Sequence, residues 1–106
     1  MAEAVSKFGT WIQIYGSDDA VRAFHRFMQA AYSTPPPEVL MRFYAELLPE
    51  TRRDLGYGET TLDLIDILGI RIKDVYSGNW TTIMSVDRAA VYAQTGWNPP
   101  WGNRYD

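Results

Sequence analysis

Three consecutive prolines at positions 35–37 separate two segments in the first half of the chain. Proline locks φ and lacks an N–H group, so the run cannot continue a helix from upstream, although it suits the first turn of a new one. An apolar stripe at helical spacing precedes the prolines and comprises Val21, Phe24, Met28 and Ala31. A second stripe covers residues 39–48. We therefore predict two amphipathic helices joined by a stiff connector.

Short polar residues mark where helices would begin. Ser17 or Asp18 can accept hydrogen bonds from the free N–H groups at the start of the first helix. Thr60 or Thr61 can do the same for a third, short helix, which Gly69 would end in the C′ position. The sequence thus predicts a block of three helices in its middle.

Several other stretches carry strand patterns. Residues 11–15 alternate and are rich in aromatic and β-branched side chains, and Gly16 follows them. Residues 70–76 alternate weakly, and residues 80–86 and 89–95 flank a predicted hairpin turn. Strands would therefore precede and follow the helical block. We predict an α+β domain, with two to three helices packed on one face of a small antiparallel or mixed sheet.

The composition excludes several classes of function. The chain contains no cysteine, which rules out disulfides, thiolate catalysis and cysteine-based zinc sites. Its formal net charge is −3, which argues against general affinity for nucleic acid. The start lacks the apolar region of a secretory signal, and charges interrupt every apolar stretch well before the roughly 20 residues that span a membrane. We expect a cytoplasmic protein.

One histidine and one carboxylate pair are the candidates for catalysis or metal binding. His25 could act as a general base, but no nucleophile motif accompanies it, so a structural role is favoured. Asp63 and Asp66 lie one helical turn apart and could bind a cation. Such a pair is more often the solvated face of a helix. We predict no enzymatic activity, no metal site and no cofactor.

The most informative sequence feature is an aromatic tail at residues 95–106, within a single predicted domain covering residues 1–106. Trp97 and Trp101 flank a stiff Asn-Pro-Pro segment, and Tyr105 follows. Tryptophan and tyrosine dominate interface hot spots, so these three rings are predicted to anchor a partner. The alternative is that the rings fold back and cover the open end of the core.

Two segments carry features of one protein family. Residues 11–24, WIQIYGSDDAVRAF, combine a tryptophan-bearing strand pattern, a Gly-acidic turn and a helix with a central phenylalanine. Asn79-Trp80 and the run TGWNPP at 95–100 form a second element. Together they resemble the YubB-like ferredoxin family of small uncharacterised phage and plasmid proteins. The resemblance implies a ferredoxin-like sheet and a mobile-element context, and it assigns no catalytic residue. The family continues with a helix and a strand where this sequence has six residues, so an uncovered sheet edge could pair with a second copy or another protein.

These features favour a protein that acts by binding. The chain would be a phage or plasmid accessory protein that binds a host protein or complex, and in its most concrete form it would inhibit a host defence nuclease in the manner of an anti-CRISPR or antirestriction protein. The three aromatic anchors would be joined by Asp63, Asp66 and Asp74, which would oppose basic nucleic-acid-binding surfaces. A homodimer is left open, and no membrane partner is expected.

The alternative hypothesis is a nucleic-acid-binding module. A ferredoxin-like sheet can stack bases on exposed aromatic rings, and Trp11, Tyr15 and Trp80 could serve in this way. The acidic net charge and the lack of a basic, aromatic-interleaved strand motif disfavour it.

Overall fold

A computed structural model describes residues 2–57 and 60–105, with side chains described for 6–56 and 60–105. Within these ranges the chain is helical and contains no strand. The predicted α+β, ferredoxin-like architecture is therefore wrong. The α-helices are α1 (Ala2–Tyr15), α2 (Asp18–Tyr32), α3 (Pro37–Arg52), α4 (Leu64–Leu68), α5 (Trp80–Ser85) and α6 (Arg88–Thr95).

Helix α1 replaces the strand predicted at residues 11–15. Ile12 is fully buried, and Phe8, one helical turn before it, packs against the same cluster. Trp11 and Tyr15, also four residues apart, lie on the exposed side. A five-residue alternation fits a strand, but these four residues pair at the spacing of one helical turn, and this pairing packs Phe8 and Ile12 against the core.

The two helices predicted on either side of the proline connector are present as α2 and α3, but they pack against other helices and not on a sheet. Ser17 is the N-cap of α2, and its hydroxyl accepts a hydrogen bond from the Ala20 N–H at 3.1 Å. The backbone N–H of Ser17 in turn donates to the Asp54 carboxylate at 2.7 Å, which ties the α1–α2 turn to the end of α3. Pro37 opens α3, so the proline connector joins the two helices in the predicted way.

We expect Ser17→Ala to lower the free energy of unfolding by about 1 kcal/mol, because the first N–H groups of α2 lose their acceptor. Ser77 is exposed and outside any helix, so Ser77→Ala is a matched control that should change stability by less than about 0.5 kcal/mol. Urea unfolding of the three proteins measures the difference. Equal stability of Ser17→Ala and the unmodified chain would contradict the capping role.

Helix α4 follows a wide turn at Arg53–Tyr57 and an extended stretch. Its N-cap is Asp63 rather than Thr60 or Thr61. Gly69 does end α4, but at φ −64° it is right-handed and stands at the C-cap instead of the left-handed C′ position that the sequence predicted.

Helices α5 and α6 replace the predicted hairpin, and residues 70–76 are turns instead of a strand. Asp87, expected in the hairpin turn, caps α6 by accepting a hydrogen bond from the Ala90 N–H at 2.8 Å. Aspartate favours turns and N-caps for the same reason, because its carboxylate accepts nearby backbone N–H groups. Gly96, at φ 72°, ends α6 in the left-handed conformation that glycine adopts without strain.

The core has two parts. The larger lies between α2, α3 and the last three helices, and its fully buried members are Ala30, Val39, Ala45, Leu68, Ile83 and Val91, with Phe43 1% exposed. The smaller holds α1 against α2 around Ile12. There Gly9 allows close approach, since a Cβ at this position would lie 3.0 Å from the Phe24 ring.

Candidate functional site

The aromatic tail folds back onto the larger core. Trp101 meets Phe43 edge-on with ring centroids 5.4 Å apart, and Trp97 does so at 6.0 Å. The Trp97 indole N–H also donates to the Ser33 hydroxyl at 3.3 Å, next to the proline connector. Tyr105 continues the series, 6.0 Å from Trp101. Of the two alternatives for these rings, the structure places Trp97 and Trp101 over the core, half-buried. Their predicted contact with a partner is untested and stays a prediction.

A buried arginine lies close to this cluster. Arg42 on α3 is 8% exposed and donates hydrogen bonds to the backbone carbonyls of Ile83, at 2.7 Å, and Val86. Its Nε also lies 3.5 Å from the carboxylate of Glu46, one turn further along α3. Arg88 approaches the other oxygen of that carboxylate at 3.6 Å. The side chain of Arg42 therefore joins α3 to the end of α5, and Glu46 joins α3 to α6.

Burial governs the electrostatics of this group. It raises the pKa of the Glu46 carboxyl above its ordinary value, although Arg88, Arg42 and Arg26 oppose the shift. Burial, together with the nearby charge of Arg88, lowers the pKa of Arg26. The Arg26 guanidinium lies over the Tyr105 ring at 5.1 Å, so α2 and the tail also belong to the group. These charged side chains connect α2, α3, α5, α6 and the tail, which is a structural role.

The predicted acidic residues lie at the N-cap of α4, on α4 and in the turns that follow it. Asp63 and Asp66 form a reciprocal capping box, in which each carboxylate accepts a hydrogen bond from the backbone N–H of the other, at 2.9 and 3.1 Å. Asp74 is exposed in the turns that follow. The three carboxylates and the three aromatic residues therefore do not form one site.

Catalytic and metal-binding arrangements were sought in the residues that the structure describes. No group of three or more His, Asp or Glu side chains converges there in a way that could hold a metal ion. His25 is exposed on α2 with its ring 6.0 Å from that of Tyr105. Within the same residues no carboxylate pairs with it, so it lacks the orienting partner of a general base.

An apolar groove opens between α3 and the segment around α4, with a volume of about 400 Å³. Tyr44 and Leu48 line one side at helical i, i+4 spacing. Leu62, Ile67 and Ile70 line the other. We name this the α3–α4 groove.

The outer edge of the α3–α4 groove is open to solvent. Ile70 is 83% exposed and Leu62 is 44% exposed, although both are large and apolar. Arg52, Arg71 and Asp66 also line the groove, so charges of both signs surround the apolar centre. A concave apolar surface with a charged rim resembles the grooves in which proteins bind helices or extended segments of other proteins.

Sequence reasoning did not find this groove. Tyr44 and Leu48 belong to the predicted apolar stripe at 39–48, but helical spacing alone does not show which members of the stripe line a groove. The available signal was Ile70, a large apolar residue directly after Gly69, where the third helix was predicted to end.

The comparisons with known proteins gave no relative. The sequence matches no family model, no curated protein and no solved structure. The resemblance to the YubB-like family therefore stays a prediction, and the ferredoxin-like sheet that it implied is absent from residues 2–57 and 60–105. In this part of the chain no helix combines the length and the apolar character needed to cross a bilayer.

Proposed function

We propose that this chain is a small protein-binding domain that contacts its partner through the α3–α4 groove. The observation that carries the proposal is the exposure of Ile70 and Leu62 beside a preformed apolar concavity. Burying one large aliphatic side chain contributes about 1.5–3 kcal/mol, so two such residues supply a hot spot of ordinary size.

The rim of the groove favours a particular kind of ligand. Arg52 and Arg71 line the groove together with the single carboxylate of Asp66. An apolar helix or extended segment flanked by carboxylates would place its charges near the two arginines.

The proposed biological setting is that of a phage or plasmid accessory protein that acts on a host protein in the cytoplasm. In the most specific form of this proposal, the target is a nuclease complex of host defence. Binding of this chain then blocks the access of nucleic acid to that complex. The support is the small size of the chain, its acidic balance and the resemblance noted for residues 11–24 and 95–100. The predicted contacts of Asp63 and Asp74 belong to the same proposal, since both flank the segment that carries Ile70.

The first experiment is a tagged pull-down from nuclease-treated bacterial lysate, with bound proteins identified by mass spectrometry. We expect Ile70→Asp to reduce recovery of the target by more than tenfold, because the aspartate must lose its hydration when the groove closes over it. Tyr32→Asp is the matched control: Tyr32 is comparably exposed but lies outside the groove, so this variant should retain the target.

Each other result has a definite meaning. Equal capture by Ile70→Asp would show that the groove is not the contact surface. Capture of nucleic acid from a parallel untreated lysate, with no protein captured from the nuclease-treated one, would overturn protein binding as the function. For a captured nuclease, addition of the unmodified chain should inhibit cleavage by the purified enzyme, and Ile70→Asp should fail to inhibit it.

The nucleic-acid alternative loses its structural basis in the form predicted. It required a sheet presenting Trp11, Tyr15 and Trp80, whereas Trp11 and Tyr15 lie on α1 and Trp80 begins α5, half-buried against the core.

A further inference from the structure

A second cavity lies between α1 and α2 and shares no lining residue with the α3–α4 groove. Its volume is about 700 Å³, which falls within the roughly 300–1,000 Å³ of sites that bind small molecules. The lining residues recur at helical spacing, so one face of each helix forms a wall. We name it the α1–α2 cavity.

The most deeply buried lining residues of the α1–α2 cavity are apolar. Gly9 and Phe24 are buried, and Met28 is half-buried. An edge-on contact with Phe8, at 5.5 Å between ring centroids, holds the Phe24 ring in place. A polar group pressed against this base would lose its hydration without gaining a hydrogen-bond partner. The base therefore suits the flat, apolar face of a ring.

The more exposed lining residues are polar and lie on both walls. They are Ser6, Thr10 and Gln13 on α1, and His25, Gln29 and Tyr32 on α2. Within the part of the chain that the structure describes, the side chains of Gln13, Gln29 and Tyr32 make no hydrogen bond, so their donors and acceptors are available to a ligand. Among the same residues, no Lys, Arg, Asp or Glu lines the cavity. The walls therefore offer hydrogen bonds without fixed charge.

We infer that the α1–α2 cavity binds an uncharged heteroaromatic compound of the nucleobase or nucleoside type. Such a compound has apolar ring faces and a ring edge that carries hydrogen-bond donors and acceptors. One face matches the apolar base formed by Phe24 and Met28. The edge matches the side-chain amides of Gln13 and Gln29, each of which presents a donor group beside an acceptor. Glutamine pairs with the edge of adenine in this bidentate way.

Two related classes of ligand fit the α1–α2 cavity less well. The phosphate of a nucleotide would meet no cation among the described lining residues, in a chain whose net charge is −3. A sugar carries hydroxyls around its ring, and those facing Phe24 and Met28 would be left without partners. We therefore expect adenosine to bind with a Kd of about 0.1 mM, and AMP and glucose to bind at least about threefold more weakly.

Titration of the isotope-labelled chain with adenosine, to about 2 mM and followed by NMR of the amide signals, tests the inference. The side-chain amide signals of Gln13 and Gln29 should shift and saturate. The signal of Gln94, which is exposed on α6 outside the cavity, should stay in place. The absence of saturable shifts would overturn the inference, and so would binding of AMP or glucose as tight as that of adenosine.

Three matched substitutions test the location of the site. Gln13→Leu and Gln29→Leu should each weaken adenosine binding at least about fivefold, because the polar edge of the base is left without its partner. Gln94→Leu, the same change outside the cavity, should bind adenosine like the unmodified chain. Circular dichroism should show that all three variants stay helical. Unimpaired binding by both Gln13→Leu and Gln29→Leu would place the ligand elsewhere and overturn the inference.

The inference does not depend on the proposed function. Ile70→Asp alters the α3–α4 groove and no residue of the α1–α2 cavity, so it should lose the protein target and still bind adenosine with unchanged affinity. Loss of adenosine binding in a helical Ile70→Asp variant would count against a separate site between α1 and α2.

Discussion

Replacing Phe43 by alanine should lower the free energy of unfolding by about 3–5 kcal/mol. Phe43 is 1% exposed in the larger core, and its ring contacts those of Trp97 and Trp101. Truncation would leave a cavity among groups that cannot all move inward to fill it. A small domain has only about 5–15 kcal/mol of stability, so the variant should unfold at a much lower urea concentration.

The control for this prediction is Phe8→Ala. Phe8 is only partly buried and packs against the smaller cluster between α1 and α2. Phe8→Ala should therefore lower the free energy of unfolding by less than Phe43→Ala does under the same conditions. A loss below about 1 kcal/mol for Phe43→Ala would contradict the arrangement in which the aromatic tail packs on this ring.

Replacing Arg42 by leucine should have a similarly large effect, about 3–5 kcal/mol. The substitution removes two charge-assisted hydrogen bonds at the end of α5, so the Ile83 and Val86 carbonyls lose their donor. It also removes one of the two guanidinium groups that form ion pairs with the Glu46 carboxylate. Leucine fills part of the space, but it satisfies none of these acceptors.

Two other variants separate the hydrogen bonds of Arg42 from its charge. Arg42→Lys keeps the charge but lacks the planar group that reaches two carbonyls, so it should recover only part of the loss. Arg22→Leu removes an exposed arginine whose ion pair with Asp19 is on the surface, and it should cost less than about 1 kcal/mol. Thermal or urea unfolding gives all three values. An Arg42→Leu variant as stable as the unmodified chain would mean that the Ile83 and Val86 carbonyls accept hydrogen bonds from other donors, and the proposed link between α3 and α5 would be wrong.

The sequence predicted α2 and α3 because independent signals agreed. Ser17 supplied a cap at the position where the apolar stripe of α2 begins, and the prolines at 35–37 fixed where one helix ends and the next starts. Local chemistry decides such features, so they can be predicted without knowledge of the tertiary structure.

The predicted strands failed because short patterns are ambiguous. Residues 11–15 alternate as in a strand, yet Phe8 and Ile12 pair at helical spacing. The longer helix α1 forms instead of the short strand because it packs on α2. Asp87 suits both a turn and a helix cap. In each case tertiary packing selects between two locally acceptable structures.

The candidate site was harder to predict from the sequence than the helices, because it depends on how distant segments pack together. The tail could be recognised as unusual, but only Phe43, which lies more than fifty positions earlier, shows where Trp97 and Trp101 pack. The α3–α4 groove needs α4 to lie beside α3 without covering it, and no spacing in the sequence encodes that arrangement. Asp63 and Asp66 were correctly identified as a pair, and their capping role required the backbone of α4.

The contact between Phe43 and Trp101 also bears on the order of folding. Helices α2 and α3 are neighbours in sequence, so they can associate after closing only the short proline loop. The rings at 97 and 101 reach Phe43 only after a loop of more than fifty residues has closed, which carries a larger entropic cost. We therefore expect the α2–α3 hairpin to form early, and α6, together with the tail that directly follows it, to dock on α3 late.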